Sequence, residues 1–193
     1  IKHSWNVLWD PKYKDMALNF DNPRDAFMTA QMILGQDLNT TNKADWDAAA
    51  ELLKTGKSNL QDYVMDEVFN KMENGDAALA PYYAGDFLTM YDNNPDLAFC
   101  YPKEGVNFFV DAICIPKSTQ NKEAAELYIN FLCEEEIAVA NANYICYASP
   151  HELVLQSDDY ELKDEPVLYP AEEDMPETQI FENLDRETQQ YMS

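Results

Sequence analysis

The sequence predicts an α/β fold from its composition, the alternation of its apolar patterns and the positions of its glycines. Of the 193 residues, 46% are hydrophobic and 12% are aromatic, which is enough apolar surface for packed cores. Apolar runs of strand length alternate with segments that repeat apolar residues at helical spacing. Glycines stand singly at the ends of several of these segments, as expected of turn and helix-end residues.

The first part of the chain is predicted to contain one strand and then three helices. The strand covers residues 16–20 and leads into an Asp-Asn-Pro turn that favours a helix start. Each helix is predicted from apolar residues on one face and a glycine stop. The faces and stops are Phe27, Ala30 and Leu34 before Gly35; Trp46, Ala49, Ala50 and Leu53 before Gly56; and residues 60–72 before Gly75.

The remainder is predicted to contain three strands, one long helix and an irregular acidic end. Apolar runs at residues 77–83, 97–101 and 107–115 have strand length. Residues 121–140 form the clearest helix, whose predicted apolar face is Ala124, Leu127, Tyr128, Phe131 and Leu132. Beyond Pro150 the pattern weakens, and Leu184 and Tyr191 are expected to anchor a short final helix.

The charge of the chain excludes some partners. There are 36 acidic and 13 basic residues, a formal net charge of −23. Such a field repels nucleic acid and anionic membrane surfaces and concentrates cations. No run of 18 apolar residues occurs, so no membrane-spanning segment is predicted.

Most catalytic and cofactor motifs are missing from the sequence. Isolated glycines cannot form a dinucleotide fingerprint or a P-loop, and two histidines leave little material for a catalytic triad. The cysteines form no CxxC pair, which argues against a zinc site. Their number leaves a disulfide framework open, but Cys114 and Cys133 lie in apolar runs, where a buried free thiol is the commoner case. Paired carboxylates for a hydrolase stay open, because 36 acidic residues supply pairs anywhere. We predict no catalytic residue, no metal ligand and no cofactor.

Aromatic residues stand beside carboxylates at three predicted strand ends, where open α/β sheets bind ligands. These three stations are Phe20 with Asp21, Asn22 and Asp25; Tyr82 and Tyr83 with Asp86; and Phe108 and Phe109 with Asp111. Taken singly, Asp25 also fits an exposed acid at a helix start, and Asp86 fits a helix N-cap. Asp111 is less ordinary, because it interrupts an apolar run in which a buried acid must be paired.

Carboxylates and aromatic rings at fixed stations suit a flexible alkyl chain that carries ammonium groups. Each cation–π contact contributes roughly 0.5–2 kcal/mol. Charge-assisted hydrogen bonds to carboxylates contribute roughly 1.5–3 kcal/mol each. An anion site would instead need Arg, Lys or free helix N-termini where this chain has Asp86 and Asp111.

Five ordered segments resemble the spermidine/putrescine-binding proteins of bacterial ABC transporters. Residues 4–15 resemble the family pattern SWxxLWxPxYKG with Asp15 in place of glycine, and residues 21–27 resemble DDxREVF. Residues 83–86 resemble WAGD, residues 102–111 resemble PKEG…FWxD, and residues 115–132 resemble IPxxAKNKExAxxFINFL. The resemblance implies the second lobe of a periplasmic-binding-protein-like (type II) fold, with a mixed sheet flanked by helices and crossing-over elements of the first lobe.

The resemblance implies ligand-binding roles for Asp111, Asp86, Tyr83, Phe109, Asp25, Asn22, Tyr147 and Phe181. Asp111 and Asp86 would bind amines, Phe109 would form a wall of the site, and Tyr83 would stack on the ligand. Asp25 stands where the family has a glutamate, and Asn22 falls where some members have an acid. Tyr147 is similar to the aromatic residue of the family's GYxxPN loop, and Phe181 is expected near the ligand.

The resemblance also implies a domain organisation. Residues 1–110 would form the second lobe, residues 111–150 the crossover elements of the first lobe, and residues 151–193 an acidic loop and a tail returning to the lobes. The family's first lobe normally precedes the Ser4–Trp5 segment, and the chain opens on what reads as mid-domain sequence. We therefore expect a fragment with exposed apolar surface, weak or absent ligand binding and self-association of two copies.

The leading interpretation is a non-catalytic, extracytoplasmic solute-binding component of an ABC importer, with a polyamine as ligand and a membrane permease as partner. It would lie in the periplasm, or at the cell surface as a lipoprotein or permease-fused domain. One alternative is a binding protein for another small solute, such as an iron chelate, sugar or phosphonate. Alternatives of a different class are a two-carboxylate hydrolase and an acidic interaction domain without a small ligand.

Overall fold

The computed structural model describes residues 3–192 and contains both helices and parallel strands, as the sequence predicts. The regular elements are β1 (Ala17–Phe20), α1 (Pro23–Leu34), α2 (Lys43–Gly56), β2 (Leu60–Val64), α3 (Glu67–Glu73), α4 (Ala84–Asn93), β3 (Val106–Phe108), α5 (Lys122–Leu132), α6 (Glu135–Ile145), α7 (Glu152–Gln156), β4 (Thr178–Ile180) and α8 (Arg186–Met192). Within the described range, no helix has the length and apolar character needed to cross a membrane.

The described chain forms two compact units. The first unit contains the described residues up to Tyr82, then Met90–Phe109 and the part that starts at Met175. The second unit contains Tyr83–Thr89 and Val110–Asp174. The predicted assignment of residues 1–110, 111–150 and 151–193 to lobes, crossover and tail stays a prediction.

The first unit is built on the buried strand β1. It pairs in parallel with β2, in a register that places Leu18 opposite Asp62, and a single bridge joins Ala17 to Leu79. The prediction of one helix over residues 60–72 is wrong, because Leu60–Val64 forms β2 and only α3 is helical. The backbone groups of the buried strand β1 need hydrogen-bond partners, and segments distant in sequence, β2 and Leu79, supply them.

The helices α1 and α2 end differently, although the sequence predicts a glycine stop for both. Gly35 has a left-handed backbone with φ of 64° and caps α1 as predicted, but Leu34 is exposed rather than on the buried face. α2 also ends at Gly56 as predicted, but this glycine keeps a right-handed helical backbone. A Cβ at Gly56 would lie 2.5 Å from Nε1 of Trp9, and the glycine therefore allows close packing of that indole.

Three predicted strands of the later sequence are shorter than expected or irregular. The run at residues 107–115 contributes only β3 (Val106–Phe108), which pairs in parallel with β4. Residues 77–83 contribute the bridge at Leu79, and residues 97–101 contain no regular strand. These runs nevertheless pack, because Ala77 lies in the core of the first unit and Leu97 packs against it.

The second unit has its core around α6 and the segment that follows it. This core consists of Val139, Ala142, Val154 and Tyr160. The predicted helix over residues 121–140 is divided into α5 and α6 at Cys133 and Glu134.

The apolar face predicted for α5 is not buried. Leu127 and Tyr128 are 63% and 61% exposed, and Phe131 is also exposed. Helical spacing predicts α5 correctly but does not reveal whether a partner covers its apolar face. The expected burial of Cys114 and Cys133 is wrong for the same reason, since both thiols are exposed, and all four cysteines are free.

The end of the described chain forms the short helix that the sequence predicts. α8 (Arg186–Met192) belongs to the first unit, and Leu184 before it is buried. Tyr191 is partly exposed, but its hydroxyl donates to Oδ1 of Asp47 at 2.8 Å. Both predicted anchors therefore hold the helix, Leu184 through burial and Tyr191 through a hydrogen bond.

Candidate functional site

The predicted site residues fall into two groups, one in each unit. The second unit holds Tyr83, Asp86, Asp111 and Tyr147, and the first unit holds Asn22, Asp25, Phe109 and Phe181. Each group is described by itself.

In the second unit, the side chain of Tyr147 packs against the first turn of α4. Its hydroxyl donates to Oδ2 of Asp86 at 3.1 Å. Its ring lies against Gly85, where an added Cβ would be only 2.3 Å from the ring atom Cδ2 and 2.8 Å from the carbonyl oxygen of Cys146. Cys146 ends α6 with a left-handed backbone, φ of 58°, which turns the chain before Tyr147. The glycine and the acid of the Tyr83–Asp86 segment thus contact the ring and the hydroxyl of one tyrosine.

The electrostatic surroundings of Tyr147 are acidic. Burial raises the pKa of its phenol well above the ordinary value, and the nearby carboxylates of Asp86 and Asp111 and the phenol of Tyr83 raise it further. Tyr147 therefore keeps its proton at neutral pH and donates a hydrogen bond to Asp86. Asp86, Asp111 and Tyr83 therefore all lie close enough to the Tyr147 hydroxyl to affect its pKa.

Asp111 follows β3 and is exposed, so the expectation of a buried acid is wrong. The apolar run around it is itself largely open, since Val110 is 70% and Ile113 is 63% exposed. Among residues 3–192, the Asp111 side chain makes no hydrogen bond or ion pair in the structure.

Tyr83 and Asp86 occupy the start of α4. Tyr83 directly precedes the helix, is partly buried, and its carbonyl oxygen accepts from the backbone N–H of Phe87 at 3.1 Å. Asp86 lies inside the first turn rather than at the N-cap position, where the helix dipole still favours a carboxylate. Asp86 is therefore a residue of the first helical turn and not the N-cap that the sequence suggests.

In the first unit, Asn22 and Asp25 lie at the start of α1. Asn22 is the N-cap, and its Oδ1 accepts from the backbone N–H of Arg24 at 3.0 Å. Asp25 is 5% exposed, which contradicts the interpretation of an ordinary surface acid. Asn22 thus has a structural role whether or not it contacts a ligand. Asp25 is the more unusual residue, because a carboxylate is rarely so deeply buried.

Phe181 contacts a cation that belongs to the protein itself. The guanidinium of Arg24 lies over the Phe181 ring, 4.6 Å from its centroid. Nη2 of Arg24 also donates to Oδ1 of Asn39 at 2.8 Å and to the carbonyl oxygen of Leu38 at 3.2 Å. Burial lowers the pKa of Arg24, and the charge of Asp25 opposes this effect. Phe181 is therefore held by α1 and the loop after it.

Phe109 is the last residue of its segment in the first unit and is 38% exposed. It lies beyond β3 and outside the buried core of the first unit. An exposed ring just after a strand end is compatible with a wall of a binding site.

Sequence reasoning missed the roles of Gly85 and Arg24. A lone glycine in the first turn of a helix was a usable signal, because such a glycine commonly marks close packing. No comparable signal marked Arg24, whose partners Asn39 and Phe181 are distant in sequence. Within the described range, no group of three or more His, Cys, Asp or Glu side chains is arranged to hold a metal ion.

The chain is similar to proteins of one family in both sequence and structure. A family model described as bacterial extracellular solute-binding protein matches residues 1–178. The spermidine/putrescine-binding periplasmic protein of Salmonella typhimurium is 32% identical over 167 residues, which cover 86% of this chain and 48% of that protein. The putrescine-binding periplasmic protein PotF of Escherichia coli is 27% identical over 179 residues, which cover 86% of this chain and 48% of that protein. The chain spans about half the length of the curated relatives it matches.

Solved structures confirm the predicted periplasmic-binding-protein-like α/β fold. A protein from Listeria monocytogenes matches with a TM-score of 0.91 and 31% identity, over 98% of this chain and 59% of that one. A lipoprotein of Treponema pallidum matches with a TM-score of 0.83 and 22% identity, over 98% of this chain and 59% of that one, and this match supports the fold alone. The resemblance found in the five ordered segments is confirmed by these relatives. The chain belongs to the bacterial extracellular solute-binding protein family.

Proposed function

We propose that the chain captures a polyamine, spermidine or putrescine, outside the cytoplasm for an ABC importer, without transforming it. The observation that carries the proposal is the acidic, aromatic group in the second unit. Asp111 offers an exposed carboxylate with no hydrogen-bond or ion-pair partner among the described residues, within electrostatic reach of a tyrosine hydroxyl that donates to Asp86. Two curated relatives are named for binding putrescine or spermidine and putrescine, which supports the same ligand class.

The chemistry of this group matches an ammonium end on a methylene chain. An ammonium group donates three hydrogen bonds and accepts none, so carboxylate and hydroxyl oxygens are its natural partners. Aromatic rings such as those of Tyr83 and Tyr147 suit both methylenes and cations. An anionic solute such as a phosphonate would face Asp86 and Asp111 and would be repelled.

The candidate residues of the first unit are proposed to contribute in unequal ways. Asp25 is buried at the start of α1, where a ligand ammonium would be recognised by a carboxylate already removed from water. Asn22 is proposed as a weaker, neutral contact because its Oδ1 already caps α1. Phe109 and Phe181 are proposed as apolar walls, although Phe181 also packs on Arg24.

The solute class can be tested with a thermal-shift panel. The sample is the chain expressed with any natural sequence that adjoins it, mixed separately with spermidine, putrescine, a ferric chelate, maltose and a phosphonate. The proposal predicts that only the two amines raise the melting temperature, in a concentration-dependent way. A shift with one of the other solutes and none with either amine would overturn it.

The proposed partner and location follow from the proposed function. Delivery to an importer requires a membrane permease as partner and a site outside the cytoplasm, either the periplasm or the cell surface. The relatives named above are periplasmic, which supports this location. Co-purification with the permease of the same cell, strengthened by spermidine, would support the partner, and the absence of any such complex would contradict it.

We also propose that two copies of the chain associate when it is produced alone. The exposed side chains of α5, namely Leu127, Tyr128 and Phe131, form an apolar face that supports this proposal. Sedimentation velocity is expected to show a dimer whose fraction rises with concentration and with salt, since salt screens the net charge of −23. A single monomer species at all concentrations would contradict the proposal.

A further inference from the structure

A backbone hydrogen bond at Ser149 links the segment between α6 and α7 to a pair of tyrosines. The N–H of Ser149 donates to the hydroxyl of Tyr169 at 3.0 Å. The hydroxyl of Tyr160 lies 3.0 Å from that of Tyr169, and the two rings pack edge to face with centroids 6.4 Å apart. Ser149 follows Tyr147 by two residues, so this contact holds the backbone of the segment that carries a candidate ligand residue.

Tyr160 fixes this pair in the core of the second unit. Its side chain is 1% exposed and lies in a cluster with Val139 and Ala142, against which Tyr169 also packs. Burial raises the pKa of the Tyr160 phenol well above its ordinary value, and the hydrogen bond with Tyr169 raises it further, so Tyr160 keeps its proton at neutral pH. A side chain buried to this extent offers a ligand no surface to contact.

The burial of Tyr160 sets the direction of its hydrogen bond with Tyr169. A buried hydroxyl proton that is left without an acceptor is costly, and the Tyr169 oxygen lies within reach of it. The two lone pairs of that oxygen can accept from Tyr160 and from the N–H of Ser149 together. The proton of Tyr169 itself can face water, because Tyr169 is only partly buried. With two protein donors in place, the Tyr169 oxygen has no lone pair left for a ligand ammonium.

The other end of the segment lies against α4. The carbonyl oxygen of Cys146 and the ring of Tyr147 both lie close to Gly85, and the Tyr147 hydroxyl donates to Asp86. The segment is therefore held at Ser149 by Tyr169 and at Tyr147 by α4. Because only one residue separates the two points, loss of the first contact is expected to loosen the second.

We propose that Tyr169 is a positioning residue, which holds the backbone of Ser149 and thereby keeps the ring of Tyr147 against α4. The inference rests on the proposed polyamine function, in which Tyr147 is a candidate contact, and it adds a residue that is not among the candidates predicted from the sequence. Without the Tyr169 hydroxyl, the N–H of Ser149 loses its acceptor and the segment gains freedom. Binding then weakens because Tyr147 must be ordered when the ligand binds, although no ligand contact has been removed.

Calorimetry on Tyr169→Phe measures the effect on binding. The sample is the chain with any natural sequence that adjoins it, and the probe is whichever of putrescine and spermidine binds the natural protein more tightly. Tyr169→Phe keeps the ring in place but removes the acceptor of the Ser149 N–H, so Kd is expected to rise about fivefold. An unchanged Kd would overturn the inference.

A matched control separates positioning from a general loss of stability. Val139→Ala removes apolar contacts from the same core and leaves the hydrogen bond between Ser149 and Tyr169 in place. It is expected to lower the melting temperature but to change Kd by less than about twofold. If Val139→Ala weakens binding as much as Tyr169→Phe, the effect is one of stability, and the inference fails.

A second readout does not depend on any ligand. With ¹³Cζ-labelled tyrosine, the signal that is absent in Tyr147→Phe belongs to Tyr147. At about pH 10.5 an ordinary phenol is more than half ionised. Tyr147 in the natural protein is expected to stay protonated at this pH, because burial and the nearby carboxylates raise its pKa.

Tyr169→Phe is expected to move the Tyr147 signal toward the ionised position, because a loosened ring is less buried and lies further from the carboxylates. Tyr144→Phe, which removes a hydroxyl from an exposed side chain, is the control and should leave the signal in place. If Tyr169→Phe weakens binding while the Tyr147 signal stays where it is, Tyr169 contacts the ligand directly, and the inference is overturned. If the signal moves but the natural protein binds neither amine, the contact is confirmed and the proposed function is contradicted.

Discussion

Asp111 and Asp25 carry the same side chain, yet their surroundings differ in a way that decides their chemistry. Asp111 is exposed and has no protein partner among the described residues, whereas Asp25 is 5% exposed at the start of α1. The local pattern suggests the reverse, with Asp111 inside an apolar run and Asp25 at an ordinary helix start. Burial depends on contacts between distant segments, so the sequence identifies these acids as candidates without predicting their exposure.

A substitution at Gly85 tests how the Tyr147 ring packs against α4. Replacing a glycine within a helix by alanine usually stabilises a protein by about 0.5–1 kcal/mol. Gly85→Ala is expected to destabilise this one by about 1–3 kcal/mol, because the new methyl group overlaps the Tyr147 ring. The measurement is the free energy of unfolding in urea. The cost should shrink in a Tyr147→Ala background, and a Gly85→Ala variant more stable than the natural protein would contradict the packing described here.

The raised pKa of Tyr147 predicts how the free energy of unfolding changes at alkaline pH. Its phenol keeps the proton in the folded state at pH values where the unfolded phenol, with a pKa of about 10, has lost it. The unfolded state then binds fewer protons, so the free energy of unfolding falls as pH rises above about 10. Tyr147→Phe is expected to reduce this fall. The limit for one proton is about 1.4 kcal/mol per pH unit, and solvent screening of the group makes the change smaller.

The control for this pH series is Tyr144→Phe, which removes a hydroxyl from a side chain that is 86% exposed. Unfolding in urea at several pH values between about 9 and 11.5 covers the relevant range. Identical pH slopes for Tyr147→Phe and the natural protein would contradict the buried, acid-flanked position of Tyr147.

At the scale of elements, helical periodicity predicts α1, α2 and α5 well, and strand pairing is predicted poorly. β2 carries a helix-like pattern but pairs with β1, and no local pattern reveals that partner. Likewise, the apolar residues at helical spacing predict the helix α5 correctly, although the apolar face that they form is exposed. The candidate site follows the same rule. Ordered motifs predict its residues, but the packing of Tyr147 on Gly85 depends on contact between α4 and the turn after α6.

The cap of α1 separates a structural role of Asn22 from a ligand-binding one. Asn22→Ala is expected to lower the free energy of unfolding by about 1 kcal/mol, because the backbone N–H of Arg24 loses its acceptor. Asn22→Asp keeps the acceptor and suits the helix dipole, so stability is retained. The added charge is also expected to tighten putrescine binding, which calorimetry would measure. Weaker binding by Asn22→Asp would contradict the assignment of Asn22 to the site.

Within the first unit, Asn39 ties the segment around β4 to the loop after α1. Nδ2 of Asn39 donates to the carbonyl oxygen of Ile180, and its Oδ1 accepts from the backbone N–H of Glu182 and from Arg24. Asn39→Ala is therefore expected to speed amide hydrogen exchange in residues 178–182. Thr41→Ala, at an exposed position nearby, is the control and should leave exchange unchanged. Unaltered exchange in Asn39→Ala would show that β4 is held by other contacts.

At the scale of the whole molecule, the net charge of −23 shapes binding without specifying it. A field of this sign attracts any cation, and its effect weakens as salt shortens the screening length. Selectivity for the proposed polyamine must instead come from candidate site residues at fixed positions. Asp111 is one of these, with an exposed carboxylate that has no hydrogen-bond or ion-pair partner among the described residues. The family and the α/β class could be predicted from the sequence, but the burial of each acid could not, because burial is a property of the folded chain.

Calorimetric titration with spermidine and putrescine tests the central claim most directly. The sample is the chain with any natural sequence that adjoins it, in its natural form and as Asp111→Asn, with Asp164→Asn as the control of equal charge. The account predicts binding of at least one amine, weakened by Asp111→Asn at least about tenfold, or about 1.4 kcal/mol, and nearly unchanged by Asp164→Asn. Absence of binding by the natural protein, or an Asp111→Asn variant that binds as tightly as the natural protein, would contradict it.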